Sequence, residues 1–169
     1  LGRGGAAAVW LVTERSTGRD FALKCFDAGR TGPEEALAEE GMRREVRILS
    51  ALEHSHLVRA HDVVRLQTHS AGGGGLGLVL DYAPGGSLGT LVGSRGRLGP
   101  GETVTVLTPI AQAVAYLHGQ GITHGDVAPG NVLFTAYGKP LLADLGVARM
   151  VADATQVAEA GTAGFRDPA

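Results

Sequence analysis

Apolar residues recur along this chain with a period near two in some stretches and near 3.6 in others, and the local period predicts the element. Val9-Trp10-Leu11-Val12-Thr13 reads as a strand, Ser16-Thr17-Gly18-Arg19 as a turn, and Asp20 to Phe26 as the returning strand. Pro33, followed by Glu34 and Glu35, marks a helix start, because proline suits the first turn and acids suit the dipole. From there to Leu52, the residues Met42, Glu45, Val46, Leu49 and Leu52 are spaced to share one helix face. Leu57 to Val64 and Leu76 to Leu80 read as two more strands, with Ala71 to Gly75 as a glycine-rich loop between them. Ser87 is placed to cap a short helix. Gly101 to His118 carries Val104, Leu107, Ile110, Ala111, Val114 and Leu117 at helical spacing, which predicts one buried face. Gly119 or Gly121 should end that helix, and Pro109 should kink or interrupt it. Val132-Leu133-Phe134 and Leu141-Leu142-Ala143, separated by a turn at Ala136-Tyr137-Gly138-Lys139 with Pro140 behind it, predict a hairpin.

Several polar residues stand against this pattern. Lys24 lies in an apolar strand, where an ammonium is costly to desolvate unless it is paired. Glu45 lies inside the apolar stripe of the first helix and is its natural partner. Asp126 and Asn131 sit five apart in a loop that Pro129 and Gly130 should keep from being helical. The hairpin would bring Asn131, entering one strand, close to Asp144, leaving the other. Two carboxylates and an amide converging in this way suit Mg²⁺, which takes one or two carboxylates and leaves other positions to water and phosphate. Leu1-Gly2-Arg3-Gly4-Gly5 opens a glycine-rich turn whose backbone N–H groups could approach phosphates. His54, His56, His61 and His69 lack the cysteine or carboxylate spacing of a metal site and are expected to be surface or capping residues. His124 is expected to pack and hydrogen-bond, and His118 to sit at a helix C-terminus where the dipole favours a cation.

Composition narrows the classes. The 169 residues suffice for one ordinary core. A net charge of −2 gives no basic surface for nucleic acid. Cys25 is the single cysteine, which excludes an internal disulfide and is compatible with a reducing cytosol. No apolar run reaches the ~18 residues of a spanning helix, and no signal peptide is visible. The expected location is cytoplasmic, within this chain or as the cytoplasmic part of a longer, membrane-anchored protein. Abundant arginine, alanine and glycine beside two lysines point to a GC-rich bacterial genome.

His124-Gly125-Asp126 with Asn131, followed by Asp144-Leu145-Gly146, resembles the protein-kinase signature of a catalytic loop and an Asp-x-Gly. Gly2, Gly4 and Val9 match the family's phosphate loop, with Ala7 at its third glycine, and Phe21-Ala22-Leu23-Lys24 resembles the strand that carries its lysine. Asp81-Tyr82-Ala83-Pro84-Gly85-Gly86-Ser87-Leu88 looks like the kinase hinge, and Gly161 to Pro168 like the end of an activation segment. The resemblance implies an α+β, bilobal kinase-like fold. Its small lobe is an antiparallel sheet with one long helix, spanning 1–83 with the hinge; 84–169 begins a mainly helical large lobe. Kinase domains are longer, so the chain is expected to be a truncated, eukaryotic-like bacterial serine/threonine kinase domain. The resemblance implies ATP and Mg²⁺ as cofactors and an unidentified protein as substrate. It makes Asp126, Lys24, Glu45 and Asn131 catalytic, and Asn131 and Asp144 the metal ligands. Gly2, Gly4, Val9, Ala22, Lys24, Asp81, Ala83 and Leu133 would contact the nucleotide, with Leu80 as gatekeeper.

The departures from the pattern are specific. Gly125 replaces an arginine that links phosphorylated activation loops to the catalytic loop, and Ala128 replaces a lysine that contacts the γ-phosphate. Leu145 replaces phenylalanine, and Ala169 a glutamate. Arg149 and Arg166 are candidate replacement cations. Two alternatives therefore stand beside the kinase: a nucleotide-binding pseudokinase scaffold, and a kinase-like small-molecule phosphotransferase. The activation-segment match weighs against the second.

Overall fold

The computed structural model describes residues 2–4, 7–27, 40–41, 43–44, 46–47, 49–67 and 74–145. Contacts divide these residues into two units. The first holds the described residues up to Leu52 together with Arg59–Tyr82; the second holds Glu53–Val58 and the described residues from Ala83 onward.

The first unit is a five-stranded antiparallel sheet of β1 (Gly2–Gly4), β2 (Ala7–Thr13), β3 (Asp20–Asp27), β4 (Ala60–Gln67) and β5 (Gly74–Asp81), ordered β1-β2-β3-β5-β4. Alternation along β3 and its register with Val9, Leu78 and Leu80 put Ala22, Lys24 and Leu80 on one face. Phe21, in register with Asp81, is on the other. A helix, α1, contributes described helical residues at 40–41, 43–44, 46–47 and 49–50. Val46 and Leu49 are buried while Glu40, Arg43, Arg44 and Arg47 are exposed, as the spacing predicts.

Two boundaries differ from the sequence reading. The strand expected at Leu57 to Val64 is β4, which begins at Ala60; Leu57 and Val58 are buried in the second unit instead. Gly74 and Gly75, expected in a loop, open β5. The missing side chains let the sheet close: a Cβ on Gly75 would lie 3.3 Å from the Phe26 carbonyl, and one on Gly77 would lie 2.8 Å from Leu23 Cδ1.

The second unit is built on α2 (Leu88–Arg95), α3 (Pro100–Gly119), a 3-10 turn at Pro129–Asn131, and the hairpin of β6 (Val132–Phe134) and β7 (Pro140–Leu142). Ser87 caps α2, its hydroxyl accepting from the Thr90 N–H at 3.1 Å. At the start of α3 the Glu102 carboxylate accepts from the Gly99 N–H at 2.7 Å and from Arg95 at 2.8 Å. Those bonds, the Gly99 one foremost, hold its carboxyl below the usual range. Gly121, at φ 71, ends α3 with paired bonds from its own N–H to His118 and from Ile122 to Leu117, a Schellman closure.

Helix α3 departs from expectation in two ways. Pro109 does not interrupt it: proline removes one i→i−4 bond, and the flanking turns are held by buried Val106, Ile110 and Ala113. Its buried face is Val106, Ile110, Ala113 and Leu117, whereas Val104 is 64% and Leu107 46% exposed. Ile110 and Leu117 are buried as the spacing predicts, but the face runs on through Val106 and Ala113. It leaves Val104 and Leu107 outside, because apolar residues occupy two overlapping stripes of this helix. The Pro129–Gly130–Asn131 stretch also forms a 3-10 turn, with the Asn131 N–H donating to the Ala128 carbonyl at 2.9 Å. Proline's fixed φ favours such a start, so the loop is not wholly non-helical.

The segment 53–58 is fastened to α3 and β7. Glu53 N–H donates to the Tyr116 hydroxyl at 3.1 Å, and the His54 ring stacks on Tyr116 at 5.2 Å. Leu57 bridges Leu142 in parallel, Val58 N–H donates to Leu142, and His56 Nδ1 donates to the Pro140 carbonyl at 2.7 Å.

Candidate functional site

In the first unit, β3 carries Lys24 between Val9 of β2 and Leu78 of β5. The lysine is buried, with Nζ 5.7 Å from the Phe26 ring centroid, a spacing suited to a cation–π contact. Ala22 lies two residues away on the same face, opposite Leu11 and Leu80. Gly2 and Gly4 lie in β1, with Gly2 in register with Val9. Glu45, and with it the expected pair with Lys24, lies outside the described residues.

Asp81 ends β5. Its Oδ1 accepts from Arg19 Nη2 at 3.0 Å and from His61 Nε2 at 2.7 Å, and its Oδ2 from the Arg59 N–H at 3.4 Å. This cluster was not legible in the sequence. His61 was expected as a surface or capping residue, yet it is half-buried against the Phe21 ring at 5.1 Å and 76°. His56 and His54 are likewise half-buried and bonded, correcting the same expectation. His69 lies outside the described residues.

In the second unit, the catalytic-loop candidates are drawn together by hydrogen bonds. Asn131 Nδ2 donates to the Asp126 backbone carbonyl at 2.8 Å and to Asp126 Oδ2 at 2.9 Å. His124 is 1% exposed; its Nε2 lies 2.9 Å from the Ala143 carbonyl and its Nδ1 accepts from the Asp126 N–H at 3.3 Å. It is the packing residue expected of it, tying the loop to the end of the hairpin. Val132 pairs with Leu142, and Ala143 N–H donates to the Asn131 carbonyl at 2.8 Å. The hairpin thus ends with Asp144 one residue past the partner of Asn131. Asp144 is exposed and has φ 64, a left-handed conformation uncommon for a residue with a side chain and a form of strain concentrated at functional sites. Leu145, in the phenylalanine position, is buried. Gly125 is buried with φ 75, where an arginine would be strained. Ala128 is buried and supplies no cation. Leu133 lies in β6 opposite Leu141, and Ala83 follows Asp81 by two residues. Gly146, Arg149 and the Gly161 to Pro168 stretch lie outside the described residues.

Among the described residues no group of three or more His, Cys, Asp or Glu side chains could hold a metal ion. The set here is a carboxylate and an amide oxygen, which fits Mg²⁺ because that ion keeps several water or phosphate ligands. The Asn131 amide nitrogen is committed to Asp126, which leaves Oδ1 as the atom of that side chain with ligating capacity. No helix among the described residues is long and apolar enough to cross a membrane.

This arrangement coincides with the result of sequence comparison: the model of the Protein kinase domain matches residues 1–169. The chain belongs to the protein kinase family. This kinase domain is 32% identical over 177 residues to CBL-interacting protein kinase 29 of Oryza sativa subsp. japonica, covering 99% of this chain and 38% of that protein. It is 31% identical over 172 residues to serine/threonine-protein kinase PknB of Mycobacterium leprae (strain TN), covering 99% of this chain and 27% of the relative. Among solved structures it resembles Rad53 1-466 in complex with AMP-PNP, with a TM-score of 0.71 and 26% identity over 87% of this chain and 36% of that one. The kinase fold, α+β with an antiparallel sheet, is therefore the one expected from the sequence. The chain spans about a third of the length of the relatives it matches.

Proposed function

We propose that this chain is the nucleotide-binding portion of a serine/threonine protein kinase, transferring a phosphoryl group from ATP to serine or threonine of a protein substrate. Residues 1–83 would form its small lobe and hinge and 84–169 the start of its large lobe. The observation that carries the reading is the clasp of Asp126 by the Asn131 amide, with Asp144 delivered beside it by the β6–β7 hairpin. Asp126 orients the attacking hydroxyl and accepts its proton. Asn131 Oδ1 and the Asp144 carboxylate would hold Mg²⁺, which when bound neutralises charge on the β- and γ-phosphates. Lys24 would contact the α- and β-phosphates, with Glu45 as its partner. Gly2, Gly4, Val9, Ala22, Asp81, Ala83 and Leu133 would line the nucleotide. ATP as the donor assigns the domain to the cytoplasm.

The relatives named above are protein kinases by name, which favours a protein acceptor over a small alcohol. Ala128 favours a second reading, a nucleotide-binding scaffold, because one well-placed donor to the transferring group is worth roughly 2.7–4 kcal/mol in other enzymes. Metal, Lys24 and the Asp126 base remain, so the expected activity of the intact protein is slow but real. The deciding measurement is phosphotransfer by the intact protein and its Asp126→Asn variant. Loss of a general base should lower transfer by about 10²–10⁴ while ATP affinity barely moves. ATP binding without transfer in the unmutated protein would establish the scaffold.

A further inference from the structure

Four features of the first unit converge on the Asp81 carboxylate from one side of the sheet. The β3–β5 register places Asp81 opposite Phe21, so its side chain lies on the face away from Ala22, Lys24 and Leu80. On that face Arg19 and His61 both donate to a single oxygen, Oδ1, at 3.0 and 2.7 Å. The Phe21 ring sets the position of both donors: the His61 ring meets it edge-on at 5.1 Å, and the Arg19 guanidinium lies 4.8 Å from its centroid. His61 reaches the carboxylate because the β4–β5 register shifts between Ala60 and Asp62, leaving His61 as the extra residue. Bulges of this kind re-aim a side chain. The backbone is held too, for the Asp81 N–H donates to the Arg59 carbonyl at 3.0 Å.

A half-exposed ion pair adds little stability, so the convergence of donors from two neighbouring strand segments on one residue calls for a different account. We propose that Arg19 and His61 are positioning residues for base selection: they hold Asp81 from behind the sheet so that its backbone presents a hydrogen-bond acceptor to the nucleotide base. The inference rests on the reading of Asp81 as a nucleotide contact. Adenine offers an exocyclic amine, a donor, where guanine offers a carbonyl oxygen, an acceptor. A peptide free to turn between residues 81 and 82 could present either its C=O or its N–H and would accommodate both bases. Pinning the Asp81 side chain and N–H restrains one side of that peptide, favours the acceptor orientation and leaves guanine facing a like group. Unpaired polar groups of that sort are the strongest source of discrimination a binding site has.

The test is the ratio of dissociation constants for MgATP and MgGTP, measured by titration calorimetry on the intact protein and three variants. His61→Ala should lower the preference for ATP by about tenfold or more, mostly through tighter GTP binding. His61→Gln, whose amide N–H reaches near the position of Nε2, should restore much of it. Arg19→Ala, at an exposed site that tolerates truncation, should shift the ratio in the same direction and decides the matter if His61→Ala fails to fold. Melting temperature, followed in parallel, separates a general loss of stability from a change in selectivity. Unmutated protein that prefers ATP, with ratios unchanged in His61→Ala and Arg19→Ala, overturns the proposal and leaves the kinase reading standing. Unmutated protein that binds neither nucleotide, or both alike, overturns the nucleotide reading of Asp81 and this inference with it.

Discussion

Asn131 gives both hydrogens of its side-chain amide to Asp126, one to the backbone carbonyl at 2.8 Å and one to the carboxylate at 2.9 Å. The two bonds close a five-residue loop on itself and hold the Asp126 carboxylate in one orientation. For the base proposed at Asp126, orientation would matter as much as presence, because a small misplacement costs heavily in rate.

Asn131→Asp keeps an oxygen for a metal but replaces both donors with an acceptor facing a carboxylate. Stability should fall by about 1–3 kcal/mol, the cost of unmade bonds in a half-buried site. Urea unfolding of the variant measures this, and an unchanged midpoint would show that the clasp does not close the loop.

Asp144 separates strain from ligation. At φ 64 any Cβ is disfavoured, so Asp144→Gly should be more stable than Asp144→Ala by about 1 kcal/mol. Both variants should lose Mg²⁺-dependent ATP binding, since each removes the same carboxylate. Equal melting temperatures would refute the strain, and retained binding the metal assignment.

His54 makes stability depend on acid. Burial, then the charges of His56 and Lys139, lower its pKa from the ordinary 6.5. Its Nδ1 also accepts from the His56 N–H at 3.2 Å, a bond a proton on that nitrogen would break. The folded chain therefore binds fewer protons at this site than the unfolded one, and acid favours unfolding. The contribution is whole above pH ~6.5 and is lost as pH falls through the lowered folded value. His54→Asn keeps an acceptor without the titration, so its melting temperature should fall less than the parent's over the same acidification.

Two glycines in the second unit should respond oppositely to alanine. A Cβ on Gly85 would lie 2.6 Å from the Thr135 carbonyl and 2.7 Å from Phe134 Cβ, so Gly85→Ala should destabilise by about 1–3 kcal/mol. Gly93, inside α2, has nothing within 4 Å of its missing Cβ, and Gly93→Ala should stabilise by about 0.5–1 kcal/mol. Thermal melts of the pair distinguish close backbone approach from helix propensity.

The elements legible in the sequence were those with a local cause. The Ser87 cap, the β6–β7 hairpin and the end of α3 at Gly121 each follow from one or two residues whose backbone preferences act on their neighbours. The closeness of Asp126 and Asn131 was legible for the same reason, being contained in six residues, whereas the double hydrogen bond between them was not. What sequence could not resolve were choices made by distant partners. The buried stripe of α3 was settled by what packs on it, and the roles of His54 and His61 by Tyr116 and Asp81, which lie far along the chain. A bulge leaves no trace in composition, and His61 depends on one.

The fastening of segment 53–58 onto α3 and β7 bears on how the chain matures during translation. His56 finds its acceptor, the Pro140 carbonyl, 84 residues later, and the backbone pairing of Leu57 and Val58 with Leu142 likewise waits for β7. A ribosome adding roughly 5–20 residues per second needs about 4–17 s to make that stretch. During that interval the bonds that tie this segment to Pro140 and Leu142 cannot form, so the segment is fastened only late in synthesis.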